Sequence, residues 1–397
     1  GSDSSIENIV LRNADVKGLN YTGTVVGHNE GAISNCYCSG NVVAGGVNDG
    51  YIGGMAGASV GTVSECIAWV NVRATGAYAR GIGGLVGSSG GTITRSESHG
   101  DVISGYYCFA VGGLTGFNSW EVSESFSTGN VEGLYTVGGL VGLNWRTIIN
   151  SYSTGNPAGE YQIGGLVGEN RYGKIQFCYS TGIATGDFYT GGLVGYSNEN
   201  GGTERDSFWS ADNSMGVGND ETYYFGELPY SISHEEFKQK STYTTPHIQY
   251  LIFWDFDPGT GAWCMIDGRT YPMFQWKVKK DITDVLLGRK SFSIEEKSAH
   301  DMNQDGVIDV GDIVGVGQSS TANYFSKGFM GSDPVWGKTS EVVSDPGHHF
   351  SSTSHSINPS SGLQPDEISP RLKSVRYHVS KTGNDENSGL SWGAAFL

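Results

Sequence analysis

The sequence predicts a mostly β protein built around a parallel β-solenoid, and three observations carry that expectation. A short glycine-bounded block recurs as Thr24-Val25-Val26-Gly27, Gly54-Met55-Ala56-Gly57, Gly84-Leu85-Val86-Gly87, Gly113-Leu114-Thr115-Gly116, Gly139-Leu140-Val141-Gly142, Gly165-Leu166-Val167-Gly168 and Gly192-Leu193-Val194-Gly195, with last glycines 30, 30, 29, 26, 26 and 27 residues apart. A second block follows each copy: Ile33-Ser34-Asn35-Cys36-Tyr37-Cys38-Ser39-Gly40-Asn41-Val42 is echoed by Val122-Ser123-Glu124-Ser125-Phe126-Ser127-Thr128-Gly129-Asn130-Val131. These runs are short, β-branched or aromatic and glycine-bounded, so they read as strands. Glycine supplies 62 of 397 residues and charged residues only 16%, against usual shares of roughly 7% and 25%, which argues against a helix-rich enzyme.

Two or three short strands per period, with turns and no helical periodicity between them, make one coil of a solenoid. A single coil cannot bury its apolar side alone, so the coils must stack. A β-propeller would need units of roughly 40 to 50 residues carrying four strands. Columns can then be read across the coils. One holds Cys36, Cys66, Ser96, Ser125, Ser151, Cys178 and Ser207; the next holds Tyr37, Ile67, Glu97, Phe126, Tyr152, Tyr179 and Phe208. Neighbours in a column sit about 4.8 Å apart. The aromatic column reads either as an exposed ladder gripping sugar rings through Tyr37, Phe126, Tyr152 and Tyr179, or as a lateral stack that pins register. Glu97 and Ile67 interrupt a binding stripe and favour the second reading. Cys36 and Cys66 are neighbours that could be bridged or stay buried free thiols. Leu85, Leu114, Leu140, Leu166 and Leu193 are expected to form one apolar stack inside.

The glycine-leucine-valine-glycine block with its trailing strand resembles the GLUG repeat over about residues 9–209. Such arrays occur in secreted and surface proteins of bacteria and archaea, so the resemblance implies a β-solenoid over 1–209 in a secreted or cell-surface, extracellular protein. Residues 210–276 become aromatic and irregular, with Trp254, Trp263 and Trp276. They are expected to cap the open solenoid end, as an exposed sheet edge requires. His234-Glu235-Glu236-Phe237-Lys238 misses the HExxH zincin motif because Lys238 replaces its second histidine.

The sharpest chemical signal is Asp301-Met302-Asn303-Gln304-Asp305-Gly306-Val307-Ile308-Asp309-Val310-Gly311-Asp312. Oxygen side chains stand at positions 1, 3, 5, 9 and 12, a glycine at 6 allows the sharp turn, and position 7 lends the Val307 carbonyl. Asp301, Asn303, Asp305, Val307, Asp309 and Asp312 are therefore expected to bind calcium. With the apolar helix begun by Asp281, residues 277–318 resemble a type I dockerin, an EF-hand-like helical domain. The resemblance makes Val310 and Gly311 the residues that help select a cohesin-like partner. The segment before Asp284 lacks a second ligand loop, and Gly315 and Gly317 weaken the following helix, so use as an interdomain calcium clip stays open beside cohesin docking.

Residues 319–370 read as a Ser/Pro-rich linker. Residues 371–397 resemble the opening strand and turn of right-handed parallel β-helix proteins, among them polysaccharide lyases and pectinase-like hydrolases, and stop where a first full coil would begin. The net charge of −17 argues against nucleic acid and anionic membrane surfaces and for a cation; no stretch suits membrane insertion. Two functions follow as expectations. One is a non-catalytic scaffold, adhesin or extracellular matrix component, joined by its dockerin-like module to a cohesin-like domain or a neighbouring module. The other is the accessory N-terminal part of a polysaccharide-degrading enzyme, lyase or glycoside hydrolase, with catalysis beyond residue 397. No paired catalytic carboxylates, nucleophile set, phosphate loop or zinc spacing stands out in the chain.

Overall fold

The structure is a computed structural model that describes residues 3–45, 50–198, 202–218, 229–244, 254–257, 260–304 and 306–316. Asp305, the linker 319–370 and the segment 371–397 lie outside the described residues. The chain divides into two compact units, Gly1–Trp254 and Asp255–Leu397.

The first unit is a parallel β-solenoid of about seven turns. Each coil contributes a strand to each of four sheets, which contain eight, twelve, six and seven strands and take, from one coil, Ala32–Ser34, Tyr37–Ala44, Tyr51–Gly53 and Ala56–Ser59. Four strands per coil, or five where the second sheet takes two short ones such as Glu97–Ser98 and Val102–Ile103, exceed the expected two or three. Many are only two to four residues long and turn at single-residue corners, so the sequence runs them together. At the corner between the first two sheets, Asn35, Glu65, Arg95, Glu124, Asn150, Phe177 and Asp206 all hold φ between 46° and 54°. A left-handed residue that is not glycine costs about 1 kcal/mol, and the column shows that every coil accepts it.

Register follows the repeat. Val26, Ala56, Val86, Thr115, Val141, Val167 and Val194 pair in one line across the fourth sheet, so the seven blocks occupy equivalent places on successive coils. The leucines do the same. Leu85, Leu114, Leu140 and Leu166 each donate a backbone N–H to the carbonyl of the next, ending at Leu193, at 2.9 Å every time, and all five are buried in one core. Ile33, Val63, Ile93, Val122, Ile148 and Ile175 form a second buried column on the first sheet. Glycine is required where coils meet at the block: a Cβ on Gly139 would lie 2.1 Å from the Gly165 carbonyl oxygen.

Two buried polar columns complete the coil. In the first, Ser96, Ser125, Ser151 and Ser207 donate their hydroxyls to carbonyls two residues back (2.8–2.9 Å). The same oxygens accept backbone N–H groups of the preceding coil, Ser125 Oγ from Ser96 at 3.1 Å and Ser96 Oγ from Cys66 at 3.2 Å. The cysteines of this column are free thiols; burial pushes those of Cys66 and Cys178 up to about 12, leaving them protonated and inert. In the second column, Asn118 Nδ2 donates to Asn144 Oδ1 (2.8 Å), Asn144 to Asn170 (2.9 Å) and Asn170 to Glu204 Oε1 (2.6 Å).

Past Trp209 the solenoid is covered. Gly216 accepts backbone bonds from Leu193 and Val194, and Tyr230–Ile232 extends the second sheet beside Phe208–Ser210. Two short helices follow, α1 (His234–Phe237), with a Ser233–Glu236 capping box, and α2 (Lys240–Thr244). His234 heads α1 and pairs with Asp212 at 2.7 Å.

In the second unit, an antiparallel hairpin (Trp263–Cys264 with Met273–Phe274) runs directly into α3 (Gln275–Leu286). Gly288, at φ 68°, turns the chain after the helix. Then come α4 (Ile294–His300), capped by Ser293 and Glu296, and α5 (Val310–Val316). Cys264, Ile266, Val278, Ile282 and Met302 form its core, with Ile308 and Ile313 packed against it. Helix α5 runs through Gly315. No helix of the described residues is long and apolar enough to cross a membrane.

Two stability outcomes follow. Leu140→Ala should lower stability by about 2–5 kcal/mol by opening a core cavity, measured by denaturant melts; no measurable loss would place Leu140 outside the core. Ser125→Ala strands the buried Ser96 N–H and should cost about 1–3 kcal/mol, whereas Cys66→Ser, which supplies the hydroxyl this column uses elsewhere, should cost less.

Candidate functional site

The aromatic column lies in the register the sequence suggests: Tyr37, Ile67, Glu97, Phe126, Tyr152, Tyr179 and Phe208 pair in turn across the second sheet. Phe126, Tyr152 and Tyr179 stack with centroids 4.7 Å apart and planes within 7°. Much of the column is covered. Phe126 is 4% and Tyr179 2% exposed. Phe237, from α1, and Trp254 pack on Tyr179, and Tyr243, from α2, meets Phe208 edge-on. The Trp254 indole N–H donates to the Asp206 carbonyl at 2.8 Å. Tyr152 is half-buried, and so is Tyr37, with the Arg12 guanidinium 5.1 Å over its ring. Stacked and covered in this way, Phe126 and Tyr179 offer no ring face to a sugar and pin register between coils.

Glu97 is buried in that column between Ile67 and Phe126. His99 stands beside it, with Nε2 3.0 Å from Glu97 Oε2 and Nδ1 2.9 Å from Thr128 Oγ1, and its ring stacks on Trp69 at 4.1 Å. A buried acid is tolerable when a partner of this kind meets it.

A second row of rings runs along the solenoid. Tyr78, Tyr107, Tyr135, Tyr161 and Phe188 stack on successive coils at centroid separations of 5.5, 6.5, 5.3 and 4.9 Å, with planes within 20°. Tyr78, Tyr107 and Phe188 are 57%, 52% and 53% exposed. Reading columns at fixed offsets misses this row, because the coils differ in length just where it lies. Val72 to Ile82 spans ten residues, Val102 to Val111 nine and Val131 to Val137 six, though both ends of each span pair in register. The signal was a tyrosine or phenylalanine in each of these connections.

The loop after α4 gathers part of the expected calcium set. Asp312 is fully buried, and Asp301 and Asn303 are nearly so. Gly306, at φ 85°, makes the sharp turn and donates its N–H to Asp301 Oδ2 at 3.0 Å. The Asn303 and Asp309 N–H groups donate to the two oxygens of Asp312 at 3.3 and 2.9 Å, and Gly311 N–H to Asp309 Oδ1 at 2.6 Å. Burial pushes the Asp312 carboxyl up to about 7; the negative charges of Asp309 and Asp301 add to that, against the two N–H donors. Among the described residues, no three His, Cys, Asp or Glu side chains already form a metal-holding group; Asp305 is outside that set. Val310 and Gly311 begin α5, half-buried.

A second acid braces the loop. Asp281 of α3 is buried, which disfavours its charge. The hydrogen bond with His300 and the ammonium groups of Lys277 (3.0 Å) and Lys290 (3.4 Å) outweigh this and hold its carboxyl well below the usual range. His300 immediately precedes Asp301, so the cluster ties the loop's first residue to α3.

Compared with known proteins, the chain matches no family, no curated protein and no solved structure.

Removal of the Asp281 carboxylate takes away the shared partner of Lys277, Lys290 and His300, so Asp281→Ala should destabilise the second unit by about 1.5–3 kcal/mol. A lowered folded-state pKa means that the contribution is present above the unfolded value of about 4 and lost as pH falls through the folded one. The wild-type advantage over Asp281→Ala, followed by chemical denaturation, should therefore shrink on acidification below about pH 4; an advantage independent of pH would contradict the ion cluster.

Proposed function

We propose that the chain is a non-catalytic part of a secreted or cell-surface modular protein, a scaffold, adhesin or matrix component, in which a GLUG-like solenoid presents surface and a dockerin-like helical module binds calcium. The observation that carries the reading is the fully buried Asp312 carboxyl at the close of a twelve-residue loop that runs from the end of α4 into α5, held by the Asn303 and Asp309 N–H groups with the buried Asp301 in the same loop. Carboxylates crowded in this way repel one another, and a hard divalent cation relieves that repulsion. Asp301, Asn303, Asp305, Asp309 and Asp312, with the Val307 carbonyl, would hold the ion. Calcium suits so many oxygen ligands better than magnesium, which sheds its waters reluctantly. Val310 and Gly311 would then meet a cohesin-like domain or a neighbouring module of the same polypeptide. The excess of acid in the chain, 41 Asp and Glu against 24 Lys and Arg, supports a cation as ligand and disfavours nucleic acid.

Titration of chelator-treated full-length chain with calcium chloride in a calorimeter tests the site. One binding event should appear, and at about one hundred times Kd it should stabilise the second unit by about 2.7 kcal/mol while the solenoid melts as before. Heat that is absent, or that persists in a variant carrying Asp301→Ala and Asp312→Ala, would refute the assignment.

A further inference from the structure

The row Tyr78, Tyr107, Tyr135, Tyr161 and Phe188 is an unusual use of surface. Singly exposed aromatics are ordinary, but a contiguous strip of them marks an interaction site. We propose that this strip binds an uncharged polysaccharide lying along the solenoid axis.

Three features on the row select that ligand. The rings repeat at 4.9 to 6.5 Å along one line over five coils, so a ligand that matches all of them must itself be extended and repetitive. A polymer does this; a small molecule meets one or two rungs. The second feature is chemical. Four of the five rungs are tyrosines, whose planes are nearly parallel, so the strip offers ring edges and a file of phenolic hydroxyls. Tyr106, tilted 49° from Tyr107 and 76% exposed, adds an open ring face. Apolar edges alternating with hydroxyl donors and acceptors suit the C–H faces and hydroxyls of sugar rings. A peptide strand would instead need free backbone groups, and Tyr135 and Tyr161 lie on strands already paired within the third sheet.

The third feature is charge. No rung is basic; the exposed Arg80 adjoins the Tyr78 end, while the exposed Glu160 and Asp187 adjoin the other end, linked where the Asp187 and Phe188 N–H groups both donate to the Glu160 carbonyl. Together with a net charge of −17, this repels a polyanion.

Affinity electrophoresis of the full chain in native gels containing soluble β-glucan, xyloglucan or galactomannan, with polygalacturonate as the anionic control, tests the proposal. At least one neutral polymer should retard the protein. The double variant Tyr106→Ser, Tyr107→Ser should bind about tenfold more weakly or worse, with an unchanged melting temperature. Trp145→Ser, which removes an exposed ring elsewhere on the solenoid, should bind as wild type does. Migration unretarded in every neutral gel, retardation equal in the double variant, or retardation by polygalacturonate alone would overturn it. So would self-association in sedimentation that the double variant abolishes, since the strip would then be a contact between copies. Calcium titration reads the other unit, so either proposal can fail without the other.

Discussion

Each coil of the solenoid meets the next through parallel hydrogen bonds, and nearly everything else in the first unit answers to that constraint. A backbone N–H on one coil must find a carbonyl at the same place on its neighbour, because a buried unpaired amide is costly. Equivalent residues are thereby forced into columns, and a column has one environment. Leucine recurs at one buried site, β-branched residues at another, and glycine where the coils meet at the block. The constraint also explains why the coils cannot fold singly. Among the described residues, their apolar sides are covered by one another and, at the far end, by Trp209 and Val217.

Corners are where the ladder is hardest to maintain, and the protein meets them with side chains. Residues in the left-handed region turn the chain sharply between the first two sheets, and just beyond them the serine column supplies oxygens for amides that a carbonyl does not reach. Each Ser both gives and takes a bond, so neither its hydroxyl nor the amide it serves is stranded. The Asn118–Asn144–Asn170 column does the same at another corner. Such polar columns work only if complete, which makes Glu204, the acceptor after Asn170, as structural as the residues it follows.

Much of this was legible in the sequence. The repeat of Gly139-Leu140-Val141-Gly142 and its relatives fixed the solenoid, the coil count and the buried leucine stack. The columns of Cys36 and Tyr37 were also in register as read, because the block and the strand that follows it keep one spacing through the first five coils, and only one extra residue before Ile175 and three before Glu204 lengthen the last two. Three things were not legible. Strands two residues long, such as Glu97–Ser98 and Val102–Ile103, fall below what alternation can resolve. The cover over Tyr179 depends on Phe237 and Trp254, which are remote in sequence. The row from Tyr78 to Phe188 crosses connections of unequal length. In the second unit, the half of helix α3 from Asp281 onward and the turn at Gly306 could be read from pattern. The brace from Asp281 to His300 could not, since only folding brings α3 beside the end of α4.

The unequal connections between the second and third sheets separate the molecule into parts that can vary independently. Four residues come and go between Val72–Ile82 and Val131–Val137 while the ends of each connection keep their pairings through Val102 and Val111. A frame of this kind tolerates editing at the rim, since loop length adds closure entropy only slowly and the core positions do not shift. Whatever the rim contacts can therefore be exchanged one coil at a time, without renegotiating the stack that holds it in place.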